Sequence, residues 1–346
     1  MSSKDNVKQF WSLFLKHEGR LEKALDEDNK EETREIVHLL NDMMIKTCGC
    51  YLEVNKEGDS FYECTFLPMN DKTSQMFCAY LKKFAPTSVI DTWIINECVP
   101  PLSEKAFHMH FDLKDVSYGV SDLEVLVSVN EGAKNFDLLI FCPAFEWMED
   151  HEANTILDAY LENMIGSLMV ESRINEVKAC KNKELGDWVA MEDLFEILSD
   201  LIIKNKWPEF NDITTIYSVY KIENDVIKET RDHDKMLITT AHPGLFVEIC
   251  NNERFILDQC NRLGAEFGTI SFQREHSDEK NALVKQQLER ELNDLLYPLG
   301  IAKVLGGAIG LNYSYIDCLI FDRNEFKLAL AKVNEKTAMN LLYQPM

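Results

Sequence analysis

Apolar positions along the chain change period several times, and each change marks an element. Val7, Phe10, Trp11, Phe14, Leu15, Leu21 and Leu25 recur near helical spacing, so residues 6–27 predict an amphipathic helix. A second helix follows from about Glu31 to Lys46 on Ile36, Val37, Leu39, Leu40, Met43 and Met44. The pattern then becomes strand-like. Cys50–Val54 and Phe61–Phe66 flank Asn55-Lys56-Glu57-Gly58-Asp59, a predicted hairpin turn. Lys72–Phe84 predicts a helix that ends before Ala85-Pro86, and Thr92–Val99 a strand stopped by Pro100-Pro101. Phe107–Phe111, Leu123–Val129 and Phe136–Phe141 predict three further strands, and Asn154–Met169 a helix.

A polar stretch, Cys180-Lys181-Asn182-Lys183-Glu184-Leu185-Gly186-Asp187, interrupts this pattern. Beyond it, helices are predicted at Met191–Ile203, Glu253–Arg262, Asp278–Tyr297 (with Asp278 as cap) and Asn324–Val333. Strands are predicted at Ile213–Ile222, Lys235–Thr240, Gly268–Phe272, Lys303–Ile309 and Tyr313–Phe321, with a short terminal strand from Ala338. Helices and strands do not alternate one by one, which argues against a doubly wound parallel sheet. The expected class is α+β in two domains, 1–180 and 190–346. Each is expected to hold a mostly antiparallel sheet with helices packed on one face.

Charge sharpens the picture. The 346 residues carry 36 Lys and Arg against 59 Asp and Glu, a net −23. The chain has no basic stripe, so nucleic acid is not expected as a direct partner. Two segments hold acids and no Lys or Arg: one lies between Lys134 and Arg173, the other between Lys183 and Lys204. Glu146, Glu149, Asp150, Glu152, Glu192 and Asp193 within them are candidate contacts for a basic protein, steered by a negative field. No apolar run is long enough for a membrane span, and charge follows directly on the first residues, so a cytoplasmic protein with no membrane association is expected. The ten scattered cysteines read as reduced, small hydrophobes. Cys48-Gly49-Cys50 is a C-x-C whose own disulfide geometry is poor.

Candidate chemistry is sparse. On a strand, His108, His110 and Asp112 would share one face and could hold a metal; the alternative reading of that face is half-exposed polar surface over inward-facing Phe107, Met109 and Phe111. The run from Leu305 to Asp317 contains Gly306, Gly307 and Gly310 but no phosphate-loop Lys-Ser/Thr. Glycines between strands instead suit a bulge or a close backbone approach. Tyr313, Tyr315 and Asp317 fall on one face of the following strand and form a candidate recognition face. His242-Pro243-Gly244 reads as a turn, and Asp232-His233-Asp234 and Glu275-His276-Ser277-Asp278 as solvated loops. G-x-S-x-G and H-E-x-x-H are absent.

Phe10-Trp11-x-x-Phe14 opening a helix, Phe84-Ala85-Pro86 followed by Trp93 and Pro100-Pro101, and Gly306-Gly307-Ala308-x-Gly310 with Tyr313-Ser314-Tyr315-Ile316-Asp317 and Phe321-Asp322 carry a resemblance. The pattern resembles uncharacterised bacterial cytosolic two-domain α+β proteins, some of them immunity-protein-like. The resemblance implies no catalytic residue. The expected function is therefore a non-enzymatic protein-binding module, possessing no cofactor and showing an acidic surface to a basic partner. The alternative is a metal-dependent or small-molecule-binding enzyme using His108, His110 and Asp112. A homodimer through the Tyr313/Tyr315 hairpin or the N-terminal helix is a third expectation.

Overall fold

Ser2 opens the chain's first helix: its hydroxyl accepts from the Asp5 backbone N–H, and Ser3–Asp26 is helical. The computed structural model describes residues 1–57, 61–183, 186–221, 235–274, 278–337 and 339–346. Helix Lys30–Cys48 follows, capped at its C-terminus by Gly49 in the left-handed conformation (φ 76°). Strands β1 (Tyr51–Glu57), β2 (Phe61–Leu67) and β3 (Trp93–Asn96) form one sheet in that order, with helix Lys72–Lys83 between β2 and β3. Next come helix Glu104–His108 and a hairpin of β4 (His110–Leu113) and β5 (Val116–Gly119).

Strands β6 (Glu124–Asn130), β7 (Asn135–Phe141), β8 (Ile174–Cys180) and β9 (Val189–Ala190) form a four-stranded sheet ordered β8-β7-β6-β9. Helices Asp150–Ile165, Ser167–Arg173 and Leu194–Lys204 belong with it. The last sheet holds β10 (Ser218–Lys221), β11 (Lys235–Thr240), β12 (Glu266–Gln273), β13 (Ala302–Gly310), β14 (Tyr313–Ile320) and β15 (Leu342–Pro345), ordered β10-β11-β13-β14-β12-β15. Its helices are Pro243–Asn251, Phe255–Arg262, Asp278–Leu296 and Arg323–Thr337. The fold is α+β and mostly antiparallel; among the strand pairs whose register is described, β7–β8 is parallel.

These elements make two compact units. One takes residues 1–64, 68–95 and 214–346; the other takes 65–67 and 96–213. The sequence reading draws one boundary, near 180–190, whereas the contacts join the N-terminal segments to the C-terminal one. The reason is packing and backbone capping. Tyr80 stacks on Phe321 with ring centroids 3.6 Å apart, and its hydroxyl donates to the Gly300 carbonyl at 2.9 Å. The Ser3 N–H donates to the Gly264 carbonyl at 2.8 Å, and Asn6 Nδ2 to the Leu263 carbonyl at 3.1 Å.

In the smaller unit, β7 alternates cleanly, with Phe136, Leu138 and Ile140 buried. They meet Leu157, Leu161, Leu194 and Leu198 from the helices. Each such side chain contributes about 1.5–3 kcal/mol by burial. In the larger unit, β13 and β14 are buried on both faces. Ile316, Cys318 and Ile320 pack under helix Asp278–Leu296, while Tyr315 and Ala308 meet Ile238 and Phe246 on the other side.

Three sequence expectations change here. Phe107 and His108 belong to a helical turn, not a strand, because the Ser103 hydroxyl caps it by accepting from the Lys105 N–H. Ile213–Ile222 contributes only Ser218–Lys221 as strand among the described residues. His242-Pro243-Gly244 opens a helix: the His242 Nδ1 caps it by accepting from the Leu245 N–H at 3.1 Å, with Pro243 in the first turn. Parts of the predicted Asn55–Asp59 turn, Glu184-Leu185 of the polar connection, the turn before Lys235 with Asp232-His233-Asp234, Glu275-His276-Ser277 with the Asp278 cap, and Ala338 lie outside the described residues or side chains.

The glycine run acts as backbone spacing. The β13–β14 register shifts between Val304 and Gly306, and Gly306 has φ 110°. A Cβ on Gly306 would sit 2.2 Å from the Thr239 carbonyl oxygen, and one on Gly307 1.9 Å from that of Tyr315. Gly307→Ala is therefore expected to destabilise the protein by about 3 kcal/mol. Gly19→Ala, in a helix interior with open space around it, should stabilise by about 0.5–1 kcal/mol. Urea denaturation of both variants checks the contrast; equal effects would remove the close-approach argument.

His242 gives a pH signature. Its Nδ1 accepts from a backbone N–H, so Nε2 carries the ring proton and donates to Thr73 Oγ1 at 2.9 Å. Burial, with help from Lys72 and against Asp71, lowers its pKa from 6.5 to about 4. The unfolded chain then binds more protons between these values, so stability is full above pH 6.5 and declines as pH falls toward 4. The contribution is about 3 kcal/mol by linkage. Unfolding free energies measured from pH 7 to 4 should show this slope, and it should be reduced in His242→Asn.

Candidate functional site

The acid-rich residues all belong to the smaller unit, and local physics explains their places. Cys142 precedes a helical turn over Pro143–Trp147, which leaves Ala144 and Phe145 in the core and Glu146 and Trp147 in solvent. Glu149 then caps helix Asp150–Ile165. Its backbone N–H donates to Glu152 Oε2 at 3.2 Å, completing a capping box. Asp150 and Glu152 occupy the first turn, where the helix dipole favours negative charge. Glu192 and Asp193 lie in the short turn that enters helix Leu194–Lys204, Asp193 standing at its N-cap position with no side-chain cap hydrogen bond.

All six candidates are exposed. Asp150 faces Lys181 at 3.6 Å across an exposed pair, which screening by water makes weak. No ion pair is made by Glu146, Glu149, Glu152, Glu192 or Asp193 among the described residues. Residues 65–67 and 96–213 carry 24 Asp and Glu against 9 Lys and Arg, so this unit holds −15 of the chain's −23 in well under half its length.

A residue absent from the sequence reading stands among these acids. Trp147 is 58% exposed. Lys114 Nζ lies 3.1 Å from its ring centroid. Lys114 and Asp115, both at positive φ, form the two-residue turn of the β4–β5 hairpin. That turn sets the ammonium on the indole face, a cation–π contact. The signal available in the sequence is a Trp inside an acid-only segment.

The metal expectation is corrected. His108 closes helix Glu104–His108, while His110 and Asp112 lie on β4, so the three share no strand face. The His110 ring lies over Gly119, whose added Cβ would be 2.8 Å from its Nδ1. Among the described residues no group of His, Cys, Asp and Glu is placed to hold a metal ion. Phe107 is exposed, whereas Met109 and Phe111 do pack inward.

The Tyr313, Tyr315 and Asp317 face is also corrected. The three do alternate onto one face, with the two rings 6.4 Å apart. Only Tyr313 reaches solvent, at 37% exposure; Tyr315 is 4% and Asp317 8% exposed. Thr269 Oγ1 donates to Asp317 Oδ1 across the β12–β14 pair. Helix Pro243–Asn251 supplies Phe246 to the cluster that covers Tyr315, so this face is interior rather than a recognition surface.

The positions carrying the family resemblance have packing roles as well. Phe10, Trp11 and Phe14 are buried and in mutual ring contact, and Trp11 Nε1 donates to the Leu81 carbonyl at 3.0 Å. No described helix is long and apolar enough to cross a membrane. No known protein family, curated protein or solved structure matches the chain.

Proposed function

We propose that this protein is a non-enzymatic binding module whose acid-rich unit engages a basic partner protein in the cytoplasm. The observation that carries the reading is the net −15 on residues 65–67 and 96–213, with its candidate acids exposed and nearly devoid of ion pairs. Glu146, Glu149, Asp150 and Glu152 surround Trp147 along the chain, and Trp is a frequent source of binding energy at interface centres. A partner Arg or Lys would meet the indole face that Lys114 occupies here. Glu192 and Asp193 extend the negative field, which acts mainly on the association rate. A specific interface would bury about 1,600 Å² in total. The immunity-type form of this reading, with a basic toxin as partner, rests on the sequence resemblance.

The test is binding to a panel of small cationic proteins across a salt series. Lys substitutions at Glu149, Asp150 and Glu152 together should slow association at least about tenfold at low salt. Trp147→Ala should instead raise the dissociation rate, at a cost of about 2 kcal/mol. Reversal at a helix N-terminus also weakens the helix by about 0.3–1 kcal/mol per charge. Circular dichroism and the neutral triple substitution Glu149→Gln, Asp150→Asn and Glu152→Gln therefore serve as folding controls. Absence of binding to any cationic protein at low ionic strength, or unchanged association of the reversed variant, would sink the proposal.

A further inference from the structure

Three thiols converge in the larger unit. Cys48 is the last residue of helix Lys30–Cys48, and Cys50 directly precedes β1. Gly49 between them turns the chain through a left-handed φ of 76°, and a Cβ there would lie 3.2 Å from Ser74 Oγ. That glycine therefore lets helix Lys72–Lys83 approach closely, which brings Cys78 to the two cysteines. Cys50 Sγ and Cys78 Sγ are 3.4 Å apart, and the Cys48 thiol is also in hydrogen-bond contact with Cys78. All three are buried, and none is in a disulfide.

We propose that Cys50 and Cys78 are a dithiol that a peroxide converts into an intramolecular disulfide. A disulfide needs its sulfurs about 2.05 Å apart. Side-chain movement therefore has to close about 1.4 Å from the present contact. In the reaction one thiol, as its thiolate, attacks a peroxide oxygen; the O–O bond breaks, one water leaves, and a sulfenic acid forms. The second sulfur then attacks the sulfenic sulfur and expels the oxygen as a second water. Two thiols lose two electrons and two protons, and one hydrogen peroxide becomes two waters. Burial pushes the Cys48 thiol up, while its contact with Cys78 opposes the shift. A buried, largely neutral thiol reacts slowly, but a sulfenic acid formed at either proposed site has its resolving partner already in contact.

The exposed Cys250 supplies an internal reference. Folded full-length protein is treated with hydrogen peroxide until Cys250 is fully oxidised, then denatured, alkylated and digested without reductant. The expected product is one peptide pair joining Cys50 to Cys78, lighter by two hydrogens than the separate peptides and released by dithiothreitol. Cys78→Ser should abolish it, and Cys250→Ser should leave it unchanged. Recovery of both Cys50 and Cys78 in alkylated form after Cys250 is consumed would overturn the proposal without need of any variant. So would isolation of the protein with a stoichiometric soft metal ion bound through these thiols.

Discussion

The larger sheet depends on how closely three backbones approach at Gly306 and Gly307. Here β13 runs between β11 and β14, and carbonyl oxygens from both neighbours occupy the space a Cβ would need. The bulge between Val304 and Gly306 shifts the alternation by one residue. As a result, Val304 stays in register with the apolar cluster under helix Asp278–Leu296, while Ala308 joins Ile238 and Tyr315 on the opposite face. A glycine-rich run that could be mistaken for a phosphate cradle is thereby accounted for by packing alone.

Charge is partitioned as sharply as hydrophobicity. The smaller unit places several of its acids where two helices begin, and the helix dipoles favour them there, with the exposed Asp150–Lys181 pair as the one counter-ion contact of the six candidates among the described residues. The same residues can thus serve helix capping and an outward negative field. Capping alone does not require Trp147 to be exposed among them, nor does it explain so few basic residues across the unit.

Elements with clean periodicity were legible in the sequence, including helix Ser3–Asp26, strand β7 and the β13–β14 hairpin. Others were hidden by definite local causes. Strand β8 pairs with β7 through a register shift, so Ile174, Val177 and Ala179 do not alternate evenly and the strand escapes a period-two reading. The Ser103 cap converts an apparently alternating His108–Asp112 run into a helical turn followed by a strand. For Tyr315 and Asp317 the strand face was correctly assigned, but nothing local in a strand reveals that a helix from elsewhere in the chain covers its second face. The exposure of the six acidic candidates was legible because exposure follows from charge itself.

The larger unit is discontinuous: the smaller one is inserted between its N-terminal and C-terminal portions. During synthesis Phe77 and Tyr80 of helix Lys72–Lys83 leave the ribosome long before Phe321, their ring partner, exists. The inserted unit, contiguous apart from residues 65–67, can mature first although it begins second. The face of helix Lys72–Lys83 that meets Phe321 stays uncovered until the final sheet has been translated. Premature termination anywhere in that sheet would strand the uncovered surface, making the nascent chain a natural client for chaperones.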